Sequence, residues 1–148
     1  MQLWYIINPA IGNNTVEVTF SGLVEGAIGG SASFTETDQV TGVRNLTSNN
    51  AESGNPTVDV SSAVDNIVQD VAVGSDWTAN RTAGGTEEWD TGHSPTDSRG
   101  FGSRKAGAGT VTMSWTGSVG SPWAIQAFDI IAVAVQAPPR RTLIGVGT

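Results

Sequence analysis

The sequence predicts an all-β protein, an antiparallel two-sheet β-sandwich of jelly-roll type with an extended C-terminal arm. Three observations predict it. Short runs alternate apolar and polar residues, and glycine-rich turns, in a chain with 19 glycines, separate these runs. No stretch of ten or more residues combines a helical period with the signals that begin and end a helix. Five tryptophans and several Val/Ile runs supply a core, so the composition indicates a folded domain and not a disordered chain.

The first predicted elements form a hairpin. Residues 3–9 and 15–20 have strand composition and flank a turn at Gly12, so we expect the chain to begin inside a sheet. Residues 27–34 alternate small and apolar side chains and predict a third strand, with a bulge at Gly29 and Gly30.

Four further runs predict the rest of the sandwich. Residues 57–60 and 67–73 flank a turn, residues 109–116 alternate, and residues 123–135 are long enough for one bent strand or two. Two stretches break the regularity, residues 43–56 and residues 76–108. We expect the second to be a long loop that contacts a partner, because a structureless loop of that length is usually functional. The predicted domain spans residues 1–136.

Residues 137–148 predict an extended arm. Pro138 and Pro139 favour polyproline-like chain, and the residues after them are too few to fold alone. In one interpretation the arm adds a strand or plug to a neighbouring subunit, and in the other it is a frayed tail. The candidate contact residues of the arm are Arg140, Arg141, Leu143, Ile144 and Val146.

The composition disfavours several classes of partner. Seven Lys and Arg against fourteen Asp and Glu give a net charge of −7, which repels nucleic acid. No apolar stretch approaches the roughly 20 residues of a membrane-spanning helix. Cysteine is absent, so no disulfide is available. No signal-peptide pattern precedes the first predicted strand, so we expect synthesis in a cytoplasm.

No residue set predicts catalysis. His93 is the single histidine, and no Gly-x-Ser-x-Gly elbow accompanies it. Glu87, Glu88 and Asp90 could form a glycosidase pair or a calcium site, but acidic residues in a Gly/Thr-rich loop are usually solvated. We therefore predict no enzyme activity, no catalytic residues, no cofactor and no metal.

The five tryptophans divide into two groups. Trp4, Trp115 and Trp123 lie on strand patterns and are predicted core residues. Trp77 and Trp89 lie in the predicted long loop. They could form a sugar-stacking platform or a protein-interface anchor, or the loop could fold back onto the sandwich.

Several of these patterns together resemble a β-sandwich domain of phage virion proteins and bacterial surface proteins. They are Leu-Trp-Tyr-Ile-Ile-Asn-Pro-x-x-Gly, Thr-Val-x-Val-Thr-Phe-Ser-Gly, Gly-x-x-Ser-Phe-Thr, Thr-Val-x-Val, Gly-x-Val-Thr-Met-Ser-Trp and Trp-Ala-Ile, across most of residues 3–135. Members of that family usually have several strands before the Leu-Trp-Tyr element, whereas only Met1 and Gln2 precede it here. An edge left open in this way favours an oligomer.

The resemblance extends to the trimeric cement proteins of phage capsids. It implies a non-enzymatic virion structural protein of a tailed phage, a capsid decoration protein that binds the outer capsid surface and stabilises the head. The implied partners are the major capsid protein and copies of the chain itself, with a homotrimer favoured, and the implied location is the virion, after synthesis in the host cytoplasm. The alternative is a carbohydrate-binding or adhesive module of a tail fibre or cell surface, with a glycan as its ligand.

Overall fold

The described part of the chain forms eight β-strands. The computed structural model describes residues 1–75, 81–94, 97–117 and 121–133. The strands are β1 (Val43–Ala51), β2 (Thr57–Ser61), β3 (Ile67–Gly74), β4 (Thr82–Ala83), β5 (Thr86–His93), β6 (Ser98–Ala106), β7 (Thr110–Thr116) and β8 (Trp123–Ile130). No helix occurs in these four ranges.

The strands build two antiparallel sheets, as the sequence predicted. The larger sheet has the order β1-β8-β3-β6-β5, and the smaller has the order β2-β7-β4. Successive strands alternate between the sheets everywhere except at the β5–β6 hairpin. This alternation produces the crossed strand order of a jelly roll. The fold class is therefore confirmed as an all-β sandwich.

The core lies between the two sheets and follows the period-two alternation of the strands. Trp115 and Met113 of β7 are fully buried and face Phe101 and Ile125 of the larger sheet. The rings of Phe101 and Trp115 tilt against each other with centroids 4.5 Å apart. The predictions of strands at residues 57–60, 67–73 and 109–116 are confirmed, and β8 occupies the first part of residues 123–135.

Side chains of β1 cover the free edge of β2 (Thr57–Ser61). Three alternate residues donate hydrogen bonds to main-chain carbonyls of β2: Asn45 Nδ2 to Ser61 at 2.7 Å, Thr47 Oγ1 to Asp59 at 3.1 Å, and Asn49 Nδ2 to Thr57 at 2.9 Å. Side chains of β1 thus occupy the main-chain carbonyls of β2 with which a further strand could otherwise pair.

The predicted opening hairpin is wrong. Residues 1–42 are all described, and the only strand-like pairing among them is a single bridge from Thr37 to Ala132. Residues 27–34, the predicted third strand, are also irregular. The eight strands that follow complete both sheets among themselves. A local β-pattern forms a strand only when a neighbouring edge can pair with it.

The predicted long loop at residues 76–108 is also wrong. The segment contains β4, β5 and β6, and β6 pairs along its whole length with β3. The strand signal is weak because the outward positions of β6 include Gly100 and Gly102, and because the inward positions at this end carry the Asp90–Arg99 ion pair. Because small and charged residues occupy these positions of β5 and β6, the two strands lack the alternation of apolar and polar residues by which a strand is predicted from sequence.

Candidate partner-binding surface

Residues 1–24 form an irregular, solvent-exposed segment that we call the N-terminal arm. Its only charged side chain is that of Glu17. Most of its large apolar side chains are exposed, with the following exposed fractions: Met1 47%, Trp4 67%, Tyr5 58%, Ile6 77%, Ile11 105%, Val16 76%, Val18 48%, Phe20 50%, Leu23 107% and Val24 51%. Leu3 and Ile7 are half-buried. The prediction that Trp4 is a core residue is wrong, whereas Trp115 and Trp123 are buried as predicted.

A continuous exposed apolar segment of this kind is unusual on a monomeric protein and marks an interaction surface. The sequence pattern predicts strands of the chain's own sheet for the same apolar residues. The pattern does not show that these residues are exposed, because their exposure depends on whether the edge of a β-strand lies beside them.

The chain that follows the arm lies against the outer face of the larger sheet. The backbone of Gly26 contacts the ring of His93, and Ile28 lies over Gly100 of β6. Further along, the main chain of residues 36–42 joins the end of β8. Asp38 N donates to Ile131 O at 2.8 Å, and Ile131 N donates to Gly42 O at 2.9 Å. The side chain of Ile7 in the arm lies against Gly42. The arm is therefore attached to the sandwich at its base and at Ile7, and most of its other apolar side chains are exposed.

Trp89, one of the two candidate sugar-stacking residues, lies on the outer face of the larger sheet and is half-buried. Its ring lies over Gly100 and Gly102 of the neighbouring strand, and the backbone of Gly30 lies against the same ring. An aromatic side chain commonly covers cross-strand glycines in this way and compensates for their missing side chains. Trp89 is therefore a residue of strand β5 and not of a loop, so the interpretation of a loop folded back onto the sandwich does not describe its position.

A matched pair of glycine substitutions tests this contact. A Cβ at Gly30 would lie 2.2 Å from the ring of Trp89, whereas a Cβ at Gly29 would have no atom within 4 Å. We expect Gly30→Ala to displace residues 26–30 from the sheet, which would shift the indole N–H resonance of Trp89 in a proton–nitrogen correlation spectrum. Gly29→Ala should leave this resonance unchanged. Equal spectra of the two variants would contradict the packing described for Trp89.

Two of the three acidic residues that could serve catalysis or metal binding, Glu88 and Asp90, are engaged in ion pairs. Asp90 accepts a hydrogen bond from Arg99, which raises the pKa of that arginine. Glu88 lies 2.9 Å from Arg104 Nε. No group of three or more His, Asp and Glu side chains within the described ranges could hold a metal ion. Paired in this way, Asp90 and Glu88 hold β5 against β6.

Two buried carboxyl groups lie at the interior of the sandwich. Asp70 accepts hydrogen bonds from the Ser103 amide at 2.6 Å, from Ser103 Oγ at 3.1 Å and from Trp115 Nε1 at 3.0 Å. Burial raises the pKa of Asp70 to about 6, although these hydrogen bonds act in the opposite direction. The three donors link β3, β6 and β7, so Asp70 joins the two sheets through the core.

The second group, Asp129, lies at the end of β8 and is also fully buried. It accepts hydrogen bonds from Arg44 Nε at 2.7 Å, Ser62 Oγ at 2.6 Å and Asn66 Nδ2 at 2.8 Å. Asn66 Oδ1 in turn accepts from the amide of Ala132 at 3.0 Å. This network ties the β2–β3 turn to the ends of β1 and β8, so its role is structural.

The other predicted site residues lie outside the described residues. They are Trp77, Arg140, Arg141, Leu143, Ile144 and Val146, together with the whole predicted arm at residues 137–148. Their proposed contacts stay predictions. In the part of the chain that is described, no helix is long and apolar enough to cross a membrane.

Comparison with known proteins adds no relative. No family model matches the chain, and neither a curated protein nor a solved structure matches it. The geometry of the N-terminal arm is therefore the evidence for a partner-binding surface.

Proposed function

We propose that this chain is a non-enzymatic structural protein of a tailed-phage virion, a decoration protein that binds the outer surface of the capsid as an oligomer and stabilises the head. The observation that carries the proposal is the exposed apolar N-terminal arm. Burying its side chains would release about 25 cal/mol per Å² of apolar surface, which only a partner surface can supply. The jelly-roll sandwich supports the choice of partner. So does the resemblance to virion proteins of the patterns that do form strands, Thr-Val-x-Val in β2, Gly-x-Val-Thr-Met-Ser-Trp at β7 and Trp-Ala-Ile in β8.

The proposed mechanism is mass action. A protein that binds the assembled shell and has no affinity for dissociated capsid subunits stabilises the shell by its binding free energy. A compact sandwich joined to an exposed apolar arm suits this role, because the arm can lie along a neighbouring subunit while the body keeps its own core. The net charge of −7 keeps the protein away from the packaged nucleic acid.

The first experiment counts copies of the chain in purified particles by quantitative mass spectrometry. A copy number comparable to that of the major capsid protein supports head decoration. A handful of copies per particle overturns it in favour of a tail component, and absence from particles overturns the virion assignment altogether. In that last case the carbohydrate-binding or adhesive module becomes the better proposal, with Trp77 as its remaining candidate stacking residue.

The second experiment tests the arm on heads that lack the protein. Added protein should raise the temperature at which the heads rupture. The double substitution Ile6→Asp and Ile11→Asp, at side chains that are 77% and 105% exposed, should remove this effect without unfolding the sandwich. Val40→Asp is the matched control, because Val40 is equally apolar, is 87% exposed and lies outside the arm. Full protection of the heads by the double variant would contradict the role of the arm.

A further inference from the structure

The two sheets have four edge strands, and they are not equally protected. The edge of β2 is occupied by side chains of β1, as described above. The edge of the smaller sheet on the other side is β4, which has two residues and passes through Gly84 and Gly85 directly into β5. Neither offers the run of free main-chain groups that a further strand needs.

The edge strand β5 is protected by charge and by irregular geometry. Its register shifts between Glu87 and Trp89, which is the mark of a β-bulge. Glu87, Glu88 and Asp90 add three acidic side chains within four residues. Bulges and charges of one sign are devices that keep edge strands from pairing with other chains.

The edge strand β1 lacks both devices over its second half. Its own bulge lies earlier, between Arg44 and Thr47. Residues 47–51 then pair regularly with β8 on one side, and they contain no charged residue and no proline. Within the described ranges, no main-chain group of another segment bonds to the other side of this segment, and the amide of Asn50 donates to Asn49 Oδ1 at 2.9 Å. Among the described strands it is the most open edge, and we call it the open edge.

The N-terminal arm contains a segment that matches such an edge. Residues 15–20 place Val16, Val18 and Phe20 on one face and Glu17 on the other, and all four are exposed. In strand conformation six residues span about 20 Å, which is enough to cover the five residues of the open edge. The single carboxylate of Glu17 meets no acidic residue at residues 47–51, whereas at β5 it would approach Glu87 and Glu88.

We propose that residues 15–20 of one copy add a strand to residues 47–51 of a second copy, extending the larger sheet from five strands to six. The segment and its acceptor edge belong to the same sequence, and within one chain they do not pair. Main-chain hydrogen bonds would supply the affinity, as in other cases of strand addition. The inference rests on the oligomeric part of the proposed function and names the surface through which copies associate.

Cross-linking between copies tests the pairing directly, because the natural chain has no cysteine. Protein carrying Thr19→Cys is mixed with protein carrying Ser48→Cys under mild oxidation, and Glu17→Cys with Ser48→Cys covers a register shifted by two residues. We expect a disulfide-linked heterodimer from at least one of these mixtures. Val40→Cys replaces the arm cysteine as one control, and Glu88→Cys replaces the edge cysteine as the other.

The outcomes separate the alternatives. Cross-links that form equally well with Val40→Cys would show non-specific collision and overturn the pairing. Preferred cross-links to Glu88→Cys would place the arm on β5 and would also overturn it. No cross-link in either register would do the same.

Sedimentation of the purified full chain provides the second measurement. We expect a concentration-dependent oligomer whose dissociation constant rises about tenfold or more when Ser48→Glu and Asn50→Glu place two carboxylates on the open edge, where the carboxylate of Glu17 would meet them. Thr110→Glu, on an exposed position of the central strand β7, should have no effect. A wild-type chain that stays monomeric overturns this inference. Head binding is measured separately, so a monomer that still protects heads would leave the capsid-binding part of the proposed function standing.

Discussion

Replacing Trp115 by Ala should lower the free energy of unfolding by about 3–5 kcal/mol, the usual range for removal of a large buried aromatic side chain. Trp115 is fully buried, packs against Phe101 and donates a hydrogen bond to Asp70. The substitution therefore leaves a cavity and removes one donor from a buried carboxyl group. Urea unfolding followed by far-ultraviolet circular dichroism measures the loss. A domain of this size is typically stable by only about 5–15 kcal/mol, so the variant should be close to unfolding.

Two further substitutions define the origin of this effect. Trp4→Ala removes the same type of side chain from a position that is 67% exposed, so it should change the stability by no more than about 0.5 kcal/mol. Trp115→Phe keeps most of the buried ring but removes the indole N–H, so we expect an intermediate loss of about 1–3 kcal/mol. Equal losses for Trp4→Ala and Trp115→Ala would contradict the placement of these side chains.

The stability of the protein should fall as the pH rises from about 4 to about 6, through the titration of Asp70. Burial raises the pKa of this carboxyl group from 3.8 to about 6. In that window the unfolded chain has lost the proton and the folded chain retains it. The unfolded state therefore binds fewer protons, and the free energy of unfolding decreases with pH. Each pKa unit corresponds to about 1.4 kcal/mol, so the contribution amounts to about 3 kcal/mol.

The variant Asp70→Asn isolates this contribution from that of other titrating groups. At pH 4 the folded protein holds Asp70 as a neutral carboxylic acid, and both of its oxygens can still accept, one from the Ser103 amide and one from Trp115 Nε1. A side-chain amide has one acceptor oxygen and leaves one buried N–H group unpaired. We expect the variant to be less stable than the wild type at pH 4, with the difference shrinking by about 3 kcal/mol by pH 7. Urea unfolding at the two pH values measures it. A difference that is constant between pH 4 and pH 7 would contradict the raised pKa of Asp70.

The arm and the open edge of β1 give the molecule two surfaces that its own fold does not use. In the proposed assembly, residues 15–20 hold copies together while the apolar side chains nearer the start of the arm contact the capsid. Because different residues carry the two contacts, oligomerisation and head binding can be lost one at a time. This separation allows each proposal to be tested without the other.

The sequence by itself determined the fold class and most of the core. Val111, Met113 and Trp115 alternate along one strand, and that alternation alone places all three in the interior, where they are found. Period-two patterns are local, so they can be read without knowing which strands are neighbours. The absence of helix in the described ranges also follows from local signals.

Only the tertiary structure decided the roles of the N-terminal arm and of residues 76–108. The arm has a strand pattern but remains unpaired, since no strand edge of the same chain lies beside it. Strands β5 and β6 lack a clear pattern but form, because Trp89 covers glycines of the next strand and Asp90 pairs with Arg99. In both cases the outcome depends on a partner distant in sequence. A β-strand is stabilised by its neighbours, so its existence is a property of the whole sheet and not of the segment alone.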